Sequence, residues 1–76
     1  MIDIKLPPLA EGVDRASISY WFKQPGDMVK EGEELVELVT DKATFSMPSP
    51  VAGKIKELLV SEGDSALVGQ SIAVIE

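Results

Sequence analysis

The chain repeats itself. Displacing the sequence by 37 residues lays Gly26-Asp27 on Gly63-Asp64 and Gly32 on Gly69, and carries Leu35, Glu37 and Leu38 onto Ile72, Val74 and Ile75. The same displacement brings Ile18 and Trp21 onto Ile55 and Leu58. Both copies thus break strict alternation with a three-residue apolar spacing, which predicts a β-bulge in each. Ahead of Ile18 the copies differ, because Leu6-Pro7 to Ala16 runs four residues longer than Met47-Pro48 to Gly53. The first copy therefore carries an extra surface loop at about Leu9 to Asp14.

Within each copy the pattern is that of short strands. Gly and Pro punctuate the chain every eight to twelve residues, the rhythm of strands and turns. Ile2, Ile4 and Leu6 alternate with Asp3 and Lys5 until Pro7-Pro8 halts the strand. Ser17 to Lys23, Leu35 to Val39, Thr44 to Met47, Lys54 to Val60 and Ser71 to Ile75 read as further extended segments, and no capped apolar stripe of 3.6 period predicts a helix. Half of such a chain is too small to bury its own apolar face. Two halves can cover each other as two sheets. The expected fold is all-β: a flattened barrel or sandwich of two roughly four-stranded antiparallel sheets with pseudo-twofold symmetry, one domain over residues 1–76. The turn at Asp41-Lys42 is expected at one end, with Met1 and Glu76 close together at the other.

What the chain lacks narrows its chemistry. It holds no histidine and no cysteine, which removes Ser-His-Asp and Cys-His mechanisms, disulfides, thiolate metal sites and a dithiol of its own. Thirteen Asp and Glu against seven Lys and Arg give a formal charge of −6, unsuited to nucleic acid or an anionic membrane. No apolar run approaches the length of a membrane span. Asp3, directly after Met1 and Ile2, is not how a signal or transit peptide opens. The expectation is a chain with no catalytic residue and no metal, in the bacterial cytoplasm or the mitochondrial matrix.

Glu37-Leu38-Val39-Thr40-Asp41-Lys42-Ala43 resembles the modified-lysine turn of lipoyl domains, in which Asp-Lys-Ala presents a lipoylated lysine. Lys5-Leu6-Pro7, Gly12, the two Gly-Asp pairs and Pro48-Ser49-Pro50-Val51-Ala52-Gly53-Lys54-Ile55 extend the likeness over the whole chain. It looks most like the amino-terminal domain of the dihydrolipoyl acyltransferase component of a 2-oxo acid dehydrogenase complex, pyruvate dehydrogenase among them. The resemblance implies lipoate joined to Lys42 by an amide, attached by a lipoate ligase or lipoyl transferase. It further implies reductive acylation of this swinging arm by a thiamine-diphosphate-dependent 2-oxo acid decarboxylase, delivery of acyl to coenzyme A at an acyltransferase domain, and reoxidation by dihydrolipoamide dehydrogenase. Asp41 and Ala43 are implied in recognition. So is Gly53, which in the family lies beside the arm. The loop residues Leu9, Glu11, Gly12, Val13 and Asp14 are expected to pack near Lys42 and to discriminate between partners.

Rival readings share parts of this pattern. A biotin carrier has the same fold, but its lysine sits between two methionines, whereas Lys42 lies between Asp41 and Ala43. A glycine-cleavage lipoyl carrier is usually longer at both ends. Asp64-Ser65 superficially matches the attachment serine of a phosphopantetheine carrier, whose helical bundle the Pro and Gly spacing excludes. A non-carrier interaction module would leave Lys42 inert. Two segments depart from the lipoyl pattern: Phe45-Ser46-Met47 after the lysine, and the aromatic run Tyr20-Trp21-Phe22.

Overall fold

Eight strands and no helix make up the computed structural model, which describes residues 1–76. They are β1 (Ile2–Lys5), β2 (Arg15–Trp21), β3 (Met28–Val29), β4 (Glu34–Val39), β5 (Thr44–Pro48), β6 (Gly53–Leu58), β7 (Ser65–Leu67) and β8 (Ser71–Ile75). One antiparallel sheet runs in the order β1-β8-β6-β3 and the other β5-β4-β2-β7. Exchanging β1 with β5, β8 with β4, β6 with β2 and β3 with β7 converts one order into the other. The pseudo-twofold symmetry expected from the repeat is thus present at the level of strand pairing. The sheets face each other as a sandwich and do not close into a barrel. β3 and β7 are two and three residues long, too short to carry a periodicity of their own.

The repeated residues make repeated bonds. Asp27 accepts the Gln24 N–H on its carboxylate at 2.8 Å, and Asp64 accepts that of Ser61 at 2.9 Å. Gly26 and Gly63 precede them at φ of +95° and +93°, a region closed to most side chains, which is why Gly-Asp recurs. Each turn also clamps the opposite half. Gly63 N–H donates to Ile18 O and Ile18 N–H to Asp64 O, while Gly26 N–H donates to Ile55 O and Ile55 N–H to Asp27 O. Glu33 and Gln70 play a second paired role, accepting the N–H groups of Lys30 and Leu67. Only Glu33 is charged. The Lys30 N–H on it and Lys23 Nζ 3.1 Å away hold its carboxyl below the usual range, whereas the position equivalent to Lys23 is the buried Val60.

The predicted bulges lie where the apolar spacing put them. The β2–β4 register slips between Ile18 and Tyr20, and the β6–β8 register slips between Ile55 and Glu57, 37 residues on. Sixteen buried residues from both halves form one core, with Leu35, Val36 and Leu38 of β4 and their counterparts Ile72, Ala73 and Ile75 of β8 all at its centre. Each fully buried Leu or Ile contributes about 1.5–3 kcal/mol relative to exposure. Trp21 belongs to this core, 3% exposed, its indole N–H donating to Val60 O at 3.1 Å. Phe45 and Met47 also pack inward, so the unusual segment after Lys42 fills the interior.

One feature of the repeat is corrected. Gly32 N–H donates to Ser49 O and Gly69 N–H to Leu6 O, which makes Ser49, not Met47, the counterpart of Leu6. Ala16 then follows its landmark by ten residues and Gly53 by four, so the first-half loop is longer by six residues rather than four. Ile2 pairs with Ile75, bringing the termini together. Gly53 lies against this terminal end, near the start of β4, and the β4–β5 turn closes the opposite end.

Candidate functional site

The β4–β5 connection is a two-residue loop, Asp41-Lys42, between Thr40 and Ala43. Tight hairpins of this length usually need positive φ, and no residue other than glycine has it in this chain. Thr40 supplies the alternative. Its N–H donates to Ala43 O at 2.8 Å, and its hydroxyl donates to the same oxygen at 3.0 Å. The hydroxyl oxygen accepts the N–H of Lys42 at 3.2 Å and of Ala43 at 3.0 Å. A threonine opening such a turn substitutes its side chain for the missing backbone acceptor. Asp41, Lys42 and Ala43 are left exposed at the tip.

The long loop between β1 and β2 reaches this tip. Leu9 anchors it by packing on the core, and Val13 N–H donates to Ala10 O across a turn whose third residue, Gly12, has φ +80°. Asp14 O accepts the Val68 N–H, fixing the far end of the loop. Lys42 Nζ donates to Glu11 O at 3.3 Å, and a Cβ on Gly12 would stand 3.4 Å from the same nitrogen. The expected meeting of the loop with Lys42 is therefore present, made by a backbone carbonyl and a residue without a side chain. A groove of ≈ 410 Å³ runs beside the turn, with Gly12, Asp14, Ser17, Val39 and Asp41 among its walls.

Not every expected residue comes to this end. Gly53 pairs with Val29, and a Cβ on it would stand 2.5 Å from Ile75 Cγ2 and 2.6 Å from Glu76 O. It sits among the termini at the opposite end, so the expectation that it lies beside Lys42 is corrected: close packing against β8 requires the glycine. Thr40 is a residue that the sequence reading misses, although a threonine at the first position of a turn is itself the signal.

The amine has no partner that would activate it. The two ion pairs of the structure, Arg15–Asp14 and Lys23–Glu33, do not involve it, and neither histidine nor cysteine is available. An ammonium in water becomes a nucleophile only when another group removes its proton. The arrangement offers an exposed primary amine on a hydrogen-bonded tip, open to solvent. That suits an amide-linked prosthetic group, whose attachment needs reach and an accessible nitrogen rather than an enclosing pocket.

Replacing Thr40 with valine keeps the shape and removes every bond of the hydroxyl. Stability should fall by about 1 kcal/mol, the usual net worth of such bonds. Amide hydrogen exchange at Lys42 and Ala43 should quicken, while core amides of β4 and β8 keep their order of protection. Thr40→Ser should restore the slow exchange. Equal exchange rates in parent and valine variant would show that the hydroxyl does not hold the turn.

Comparison with known proteins gives concordant results. The family model described as "Biotin-requiring enzyme", for biotin and lipoyl attachment, matches residues 2–75. The dihydrolipoyllysine-residue succinyltransferase component of the 2-oxoglutarate dehydrogenase complex of Staphylococcus saprophyticus is 48% identical over 99% of this chain, which spans 18% of that protein. The dihydrolipoyllysine-residue acetyltransferase component of the pyruvate dehydrogenase complex of Bacillus subtilis is 45% identical over 97% of the chain, which spans 17% of it. The solution structure of the lipoyl domain of the 2-oxoglutarate dehydrogenase complex from Azotobacter vinelandii superposes with a TM-score of 0.79 at 33% identity, covering 100% of this chain and 96% of that one.

Proposed function

The chain belongs to the biotin and lipoyl attachment family as a lipoyl domain, and from that membership we propose that Lys42 is the residue that carries its lipoate. Lipoate held on a lysine is the cofactor of lipoyl domains, and the exposed ammonium at the tip of the Thr40–Ala43 turn supports placing it on Lys42 here. Lipoate, once bound, supplies a dithiolane able to accept an acyl group together with an electron pair. The chain's own residues supply position. Thr40 fixes the hairpin, Glu11 O and Gly12 steady the amine, and Asp41 and Ala43 flank it as the surface that a visiting enzyme meets.

Residues 1–76 are proposed as one carrier domain without an active site of its own, serving an acyltransferase of a 2-oxo acid dehydrogenase complex. The partners are then a lipoate ligase or lipoyl transferase, a thiamine-diphosphate decarboxylase, the acyltransferase domain and dihydrolipoamide dehydrogenase. The compartment is the bacterial cytoplasm or the mitochondrial matrix. The curated relatives above include both succinyl- and acetyltransferases, so the acyl group is the open variable.

Expression with a lipoate ligase and a biotin ligase together tests the reading. Intact mass should show one lipoyl adduct and no biotinyl adduct. The loaded domain should then be reductively acylated by a 2-oxoglutarate or a pyruvate decarboxylase with its own 2-oxo acid. A biotinyl adduct alone would move the chain to the biotin carriers.

A further inference from the structure

Acylation changes what a lysine nitrogen can bond to. A free ammonium carries a charge and three donors, whereas a secondary amide nitrogen carries one donor and no charge. A contact that serves both states must be one that a single neutral N–H can keep. A carboxylate beside the nitrogen fails that condition, because it favours the charged form and resists its loss. The surroundings of Lys42 divide along this line. Glu11 and Asp41 both bring carboxylates to this end of the molecule, yet neither ion pair of the structure includes Lys42. Its partner is the backbone carbonyl of Glu11, which accepts from Nζ at 3.3 Å.

That carbonyl is fixed by the loop around it. Leu9 packs on the core before it, and Asp14 O accepts the Val68 N–H at 2.9 Å after it. Between them Val13 N–H donates to Ala10 O at 3.1 Å and closes the turn that contains Glu11 and Gly12. Glu11 has negative φ and Gly12 has +80°, which makes this a type II turn, its central peptide turned over relative to type I. The carbonyl of that central peptide is used by no other backbone bond and is left to Lys42. Gly12 is needed twice here. It supplies the positive φ, and it omits a Cβ that would stand 3.4 Å from Nζ, where the carbon of an acyl group must also find room.

We infer that the Glu11 carbonyl is a positioning group for the loaded arm: it accepts the single N–H left on Lys42 after acylation, so that free swing begins beyond the amide. This rests on the carrier reading above and deepens it, from a loop that steadies the free amine to one that holds the modified residue. The lysine stem is then the fixed root of the arm. Its torsions no longer add to the space that the distal end must search, and each visiting active site meets the arm leaving from one place. A single exposed bond of this kind favours the held state by about two- to tenfold, a bias on the root that still lets it open.

The side-chain amide of Lys42 is itself the readout. In a domain grown on isotope-labelled lysine and fully lipoylated, as checked by intact mass, it gives one amide resonance that no unmodified lysine gives. Its hydrogen exchange should be slower by about two- to tenfold than that of the same lipoylated turn, Thr40 to Ala43, as a free peptide. Gly12→Ala sets a methyl group against this nitrogen and strains the turn that aims the carbonyl, so exchange should return to the peptide rate. Gly26→Ala is the control. It meets the same backbone penalty at φ +95° with nothing within 4 Å of its Cβ, and should leave the side-chain amide as slow as in the parent.

A parent whose side-chain amide exchanges as fast as the peptide overturns the inference. So does a Gly12→Ala domain that keeps the slow rate, or an equal quickening in Gly26→Ala, which would trace the effect to general loosening. Should Gly12→Ala fail to fold or to take lipoate, the comparison of parent with peptide decides alone. A parent that takes no lipoyl group on Lys42 overturns the carrier reading itself, and is told apart because the side-chain amide resonance is then missing rather than fast.

Discussion

Lys42→Arg is expected to abolish lipoyl attachment completely while leaving the fold intact. The guanidinium stays protonated under all conditions a ligase can offer, so it cannot attack an activated acyl group, yet it preserves charge and length. Its donors can still reach the Glu11 carbonyl that takes the Lys42 Nζ hydrogen bond. Stability should therefore stay within about 0.5 kcal/mol of the parent, as for an ordinary surface exchange. Intact mass after expression with a ligase should show no adduct, reductive acylation should be undetectable, and the thermal transition should superpose on that of the parent. Lipoyl mass appearing on another of the chain's lysines would defeat the assignment, since six are present in all. A parent that takes no lipoyl group either would leave the chain an interaction module with an inert turn.

The sharpness of that expectation comes from how the fold treats its lysines. Lys23 is tied to Glu33, and Lys54 lies within a strand paired on both sides rather than on a turn. Lys42 alone stands on a hairpin tip between a loop carbonyl and open water. An enzyme that brings an activated carboxyl to the domain meets this amine with no strand in the way. Preorganisation of the turn by Thr40 lowers the conformational cost of that meeting.

Much of this was legible before the structure, and the reason is the duplication. Gly-Asp and the three-residue apolar spacing each occur twice, so chance agreement is improbable, and both turned out to be local devices with a defined bond or bulge. The loop from Leu9 to Asp14 stood out for the opposite reason, as the place where the copies disagree. What the sequence withheld was tertiary. β3 and β7 are too short for periodicity to register and exist only because longer strands hold them. The counterpart of Leu6 could not be fixed by residue type, since apolar Met47 is a better match than Ser49 until the bonds from Gly32 and Gly69 are seen.

Gly53 shows the same limit and gives the second large effect. In sequence it is a glycine in a turn-rich segment. In the structure it opens β6 with an ordinary negative φ, so its lack of a side chain answers a packing demand rather than a backbone one. The place of its Cβ is taken by Ile75 Cγ2 and Glu76 O, at 2.5 Å and 2.6 Å. The counterpart in the first half is Ala16, 2% exposed, and the residue equivalent to Ile75 is Leu38, which has no branch at Cβ. A single methyl group is thus accepted in one half and refused in the other. Gly53→Ala should destabilise the domain by about 1–3 kcal/mol, the usual range for overpacking a tight core. In a domain of this size each kcal/mol lowers Tm by about 4–8 °C, so the transition should move far enough to read in one melt. Ile75→Leu, which removes the branch, should recover part of the loss in the double variant while costing little alone, a coupling expected of residues in direct contact. Lipoylation of the folded fraction should be untouched, because Gly53 lies at the end away from Lys42. A Gly53→Ala domain of parental stability, or one that folds normally and is not lipoylated, would return Gly53 to the vicinity of the arm.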